Sequence, residues 1–154
     1  MYFWQLRRLK RKITARPLSE REILPYLLVY LTLTTTIIFI PESSANVWDA
    51  LSALSSIILT LVGSFYIYRQ NGGANGQYFL QRYLALGWVV TFRWLLIFVI
   101  TTVILLILLE LVGVSTFSEE MTWYEFLYGT AWEAIVYQRI GHHVRDVAQG
   151  SITA

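Results

Sequence analysis

Four long apolar stretches, divided by short polar segments, fill most of this 154-residue sequence. They run over about residues 23–40, 47–68, 84–109 and 122–141. A helix needs roughly 20 apolar residues to cross a bilayer, so each stretch is a candidate span. Only 14% of residues are charged, where a soluble domain carries about 25%. Mean hydropathy is +0.52. The expected fold is an all-α membrane protein: a bundle of four transmembrane helices with an N-terminal basic amphipathic helix on the cytoplasmic face. Residues 1–17 form that interfacial helix, 18–149 the transmembrane domain and 150–154 a disordered tail. The third stretch is the most hydrophobic. The fourth is rich in aromatics and less apolar, so hydropathy alone leaves it between a crossing and a surface-lying helix.

Charge placement sets the orientation. Of twelve Lys and Arg residues, all but Arg93 lie on one side of the apolar runs. Cytoplasmic segments carry an excess of Lys and Arg. The pattern therefore predicts an even number of crossings with both chain ends in the cytoplasm, and it favours a fourth helix that crosses. The acids Glu110, Glu119, Glu120 and Glu125 fall in the outer loop. Cell (inner) membrane is the expected location.

The first segment repeats apolar residues at helical spacing, with Tyr2, Leu6, Leu9 and Ile13 on one stripe. Arg7, Arg8, Lys10, Arg11 and Lys12 crowd the remaining surface. Such a helix lies on a membrane, here with Phe3 and Trp4 as anchors. Its cations, with Arg69 and Arg82, are expected to contact anionic lipid headgroups of the cytoplasmic leaflet, at about 1 kcal/mol each. The positive-inside rule already accounts for the charge, so no nucleic-acid partner is expected.

Local signals fix several helix starts. Ser19 with Glu22 makes a capping box ahead of the first span. Asn46 with Asp49 does the same for the second, where Asp49 reads as a cap. Along the second span Ser52, Ser56, Thr60 and Ser64 recur every four residues with Gly63 beside them. Small residues let helices approach closely and hydroxyls bond across, which makes this the best helix-packing seam. Residues 69–77 contain Asn-Gly twice and read as a turn, both pairs favouring positive backbone torsions. A Gly-rich loop flanked by Arg69 and Arg82 is also able to hold a phosphate headgroup, although it matches neither phosphate-binding fingerprint.

Arg93 and Glu133 are the pair of interest inside the spans, each ~12 Å from the cytoplasmic end at ~1.5 Å per residue. Burying either alone costs about 3 kcal/mol on insertion scales. They are expected to form a charge pair or, with Glu125 on the same face as Glu133, to line an ion path. His142 and His143 are adjacent, point in different directions on a helix and make a poor chelate, with His142 and Asp146 permitting only a weak site. No metal and no cofactor is expected.

The sequence holds no cysteine, which excludes disulfides, thiolate metal sites and thiol catalysis. Motifs for nucleophilic, phosphoryl-transfer and zinc-peptidase chemistry are missing. The expectation is a non-enzymatic membrane protein acting by assembly, as a homo-oligomer or an accessory subunit of a larger membrane complex. The alternative is a small ion or proton channel or transporter using Arg93 and Glu133.

Overall fold

The computed structural model describes residues 6–15, 17–18, 26, 46–113 and 121–150, and every regular element among them is helical. In chain order these are α1 (Leu6–Ala15), α2 (Val47–Gln70), a single 3₁₀ turn (Gly73–Asn75), α3 (Phe79–Leu111) and α4 (Trp123–Ala148). The expected first span lies outside the described residues apart from Tyr26. So do the Ser19–Glu22 cap, Phe3 and Trp4, Glu119 and Glu120, and the tail beyond Gly150.

Among the described residues two helices are long and apolar enough to cross a membrane: α2, with mean hydropathy 1.9, and α3, with 2.8. α3 starts at Phe79, ahead of the expected 84, and α4 runs past the expected 141 to Ala148. The extension of α4 follows from Ile140, Val144 and Val147, which repeat at helical spacing and are all buried.

The Asn46–Asp49 cap forms as the sequence implies, and a second box forms at the start of α4. Asn46 accepts from the backbone N–H groups of Trp48 and Asp49 at 2.7 and 3.2 Å. Asp49 in return accepts from the Asn46 N–H at 2.8 Å. At the start of α4, the Thr122 N–H and hydroxyl both donate to Glu125, at 2.7 and 2.6 Å. Each reciprocal pair satisfies donors that a helix N-terminus leaves open. The Asn46 side-chain amide also donates to the Met121 carbonyl at 2.8 Å, tying the two helix starts together.

α2 and α4 run parallel, with a nearly fixed register. Bonded partners stay 75 to 77 residues apart, from Asn46–Met121 through Ser55–Thr130 to Thr60–Tyr137. α3 returns antiparallel along the other side of α4. Its contact is aromatic: Trp94 meets Trp132 at 5.2 Å, and Phe98 stacks on Tyr128 at 5.2 Å. Thr101 adds a 2.7 Å hydroxyl bond to Tyr128.

The buried core sits at one end. Leu9, Ile13, Ile67, Leu86, Val89, Val90, Ile140, Val144 and Val147 cluster where α1 packs across α3 and α4. A ten-residue helix is marginal alone, so this packing holds α1. Lys10 lies on the same face and is buried with them, its Nζ 2.7 Å from Asp146 Oδ2. Arg7, Arg8 and Arg11 stay exposed. α1 thus lays its apolar stripe on the bundle rather than on a surrounding lipid face. Lys10, expected among the headgroup contacts, is turned inward, because position 10 falls between Leu6 and Ile13 on the helix.

Candidate functional site

The polar residues of α2 and α4 meet along one line. Ser55 and Thr130 share a hydrogen bond at 3.2 Å, Ser56 donates to Glu133 at 3.0 Å, and Tyr137 donates to Thr60 at 3.1 Å. Two glycines fit tyrosines of the opposite helix. A Cβ on Gly63 would fall onto the ring of Tyr137, and a Cβ on Gly141 onto the ring of Tyr66. Ser56, Thr60 and Gly63 therefore face α4 in the same chain. Ser64 instead reaches Tyr83 of α3 at 3.3 Å, and the Ser52 carbonyl accepts from Ser55 at 2.9 Å. Tyr137 extends the Glu125–Gly129–Glu133 face in the sequence, whereas no sequence signal marks Ser55, Tyr66 or Gly141. Gly141, a second glycine at the end of α4, gains meaning only once the register with α2 is known.

Arg93 and Glu133 do not come together as an ion pair. Glu133 accepts instead from Ser56. The α3–α4 contact beside them is filled by Trp94, Phe98 and Trp132, with the Arg139 guanidinium 5.6 Å over the Trp94 ring. Glu125 is taken up by the α4 cap. Glu125 and Glu133, expected to line one route, thus stand in separate settings.

At the opposite end of α4, Asp146 gathers cationic and titratable groups. Beside the Lys10 contact, His142 Nδ1 lies 3.4 Å and His143 Nδ1 3.8 Å from Asp146 Oδ2. The two histidines converge although adjacent, since Asp146 is four residues from one and three from the other. Their ligand atoms and that of Asp146 lie within 4.8 Å of one another. The Lys10 ammonium already occupies the shared carboxylate oxygen, so a metal ion would compete with a full positive charge. Burial, reinforced by Lys10, pushes the His143 imidazole down to about 4, which keeps it neutral at pH 7.

The turn after α2 forms a third constellation. Gly72 takes φ +100° and Gly73 +58°, while Gly76 stays extended at φ −76°. Only the first Asn-Gly pair supplies the expected positive torsion. Gly76 is needed for space, because a Cβ there would strike the backbone and amide of Asn71. Buried Asn71 organises the turn: its amide donates to the Gln77 carbonyl at 3.3 Å and accepts from Arg82 Nη1 at 2.9 Å. Arg69 sits 5.9 Å over the ring of Phe65.

No family model, curated protein or solved structure matches the chain.

Proposed function

We propose that this chain is a small multi-pass integral membrane protein that crosses four times with both ends in the cytoplasm, and that it acts without catalysis, by assembly as a subunit or accessory of a membrane complex. One observation carries the membrane part. The outward faces of α2 and α3 present Leu54, Ile57, Ile58, Leu61 and Phe65, then Val99, Ile100, Val103, Ile104 and Ile107, all exposed. In water that surface would cost about 25 cal/mol per Å². Lipid removes the cost. The parallel register of α4 with α2 supports a crossing for α4, since a helix bonded along the length of a span shares its path. α1, Arg69, Arg82 and Arg145 gather at one end of the helices, which agrees with the positive-inside rule.

The assembly part draws on how polar groups are used. The hydroxyls and Glu133 along the apolar length bond helix to helix, the use expected of a structural element. The small-residue seam packs inside the chain, so assembly would engage other faces. Because the sequence lacks cysteine, single-cysteine variants give a direct test. Ala74→Cys and Gln149→Cys should be labelled from one face of sealed vesicles and Val112→Cys from the other. Chain mass in lipid nanodiscs, with crosslinking in the native membrane, tests assembly. A lone monomer in both settings would defeat it.

A second reading, an ion or proton route, has one observation in its favour: the Glu133 carboxylate sits within the apolar length of α4 on a line of hydroxyls. Loss of a liposome flux in a folded Glu133→Gln variant would support it.

A further inference from the structure

We propose that the turn between α2 and α3, together with the C-terminal turn of α4, forms a binding site for one phosphate ester that carries a hydroxylated headgroup. This goes beyond the assembly reading, and only the lipid source of the ester rests on the membrane placement.

A cavity of about 440 Å³ opens there, lined by Arg69, Arg82 and Arg145 from three different helices. No carboxylate lines it, and none of the three arginines pairs with one among the described residues. The Arg82 Nε is buried without a hydrogen-bond partner, while Asn71 fixes the other end of the same guanidinium through Nη1. A planar guanidinium held at one edge and unsatisfied at the other is preorganised for a bidentate oxyanion. The C-termini of α2 and α4 also meet here, each worth about half a negative charge. Three full positive charges outweigh them.

The remaining lining specifies what the phosphate carries. Gln70, Gln77 and Gln149 contribute amides, which both donate to and accept from hydroxyls. An ammonium or choline headgroup would find no anion to meet it among the described residues. Glycerol- or inositol-type esters fit, and zwitterionic ones do not. Arg69 follows the apolar run of α2 and Arg82 precedes that of α3, the level at which a leaflet places its phosphates.

The test uses the full chain with two probes. In nanodiscs of phosphatidylcholine with a minor share of phosphatidylglycerol, native mass spectrometry should show one phosphatidylglycerol retained. In detergent, sn-glycerol 3-phosphate should bind at the same site by calorimetry. Arg145→Gln, whose side chain makes no bond that the fold needs, should weaken binding about tenfold, as should Arg82→Gln. Arg7→Gln, an exposed change on α1, should leave it unaltered. Retention of the lipid with weak glycerol-phosphate binding supports the site with a lipid source; the reverse supports it with a soluble ester. Equal retention of phosphatidylcholine, binding undiminished in both pocket variants, or an equal loss in Arg7→Gln overturns it. Were the chain monodisperse without detergent, the membrane reading would fall while the glycerol-phosphate arm still decided the site.

Discussion

At the end that carries α1, Leu9, Ile67, Leu86, Val89 and Val144 are shut away around an ion pair with side chains only 5% and 6% exposed. Along the rest of α2, α3 and α4 the large aliphatic residues point outward, and the helices meet through single hydroxyl bonds, glycine–tyrosine contacts and ring pairs. The first arrangement is that of a water-soluble core. The second is what helices use when their surroundings are already apolar: burial then gains little, and close approach and hydrogen bonds hold them. On the membrane reading, one chain carries both solutions because its two parts face two solvents.

The comparison can be broken at its strongest point first. Lys10→Met leaves the Asp146 carboxylate buried without its ammonium, and stability should fall by about 3–5 kcal/mol. Thermal unfolding in detergent reads it. Lys10→Met with Asp146→Leu should recover most of the loss, and an unchanged midpoint in the single variant would show that α1 is not docked. Next come the glycines. Gly63→Ala and Gly141→Ala each force a tyrosine ring aside and should cost about 1–3 kcal/mol. Gly129→Ala, with nothing within 4 Å of its added methyl, should be neutral. Equal effects at all three would remove the case for interlocked α2 and α4.

The basic end should also respond to pH. His143 is held down to about 4 against an ordinary 6.5. The unfolded chain therefore binds the proton first as pH falls. The stability due to neutral His143 is complete above about 6.5 and is lost between there and 4. His143→Phe should flatten that part of a stability-versus-pH curve, and an unaltered slope would discard the assignment. The smallest effect belongs to the apolar length: Ser55→Ala or Ser56→Ala should cost only about 0.6 kcal/mol. A loss as large as that of Lys10→Met would mean the seam carries more than packing.

Much of the helical fold was legible in the sequence because long apolar runs bounded by polar turns follow simple rules. Apolar runs placed α2, α3 and α4, and the Asn46–Asp49 spacing fixed the start of α2. The basic end was harder. An amphipathic stripe such as Leu6, Leu9 and Ile13 looks the same whether it meets a bilayer or a helix bundle, so the docking of α1 was hidden. Lys10 and Asp146 are 136 residues apart, and no local pattern links them. The arginine pocket was half visible: Arg69 and Arg82 flank the turn, but Arg145 joins them only through the packing of α4. Arg93 and Glu133 were matched by depth. Depth does not set rotation about the helix axis, and rotation gave Glu133 to Ser56.

The clasp between Lys10 and Asp146 also has a consequence in time. At ~5–20 residues per second, a ribosome makes the lysine on the order of ten seconds before its carboxylate. Through that interval Lys10 lacks the carboxylate it finally pairs with. The helix can close this ion pair only after α4 has been made and its final turn wound. Closure of the N-terminal segment thus reports that the last helix has reached its place in the bundle.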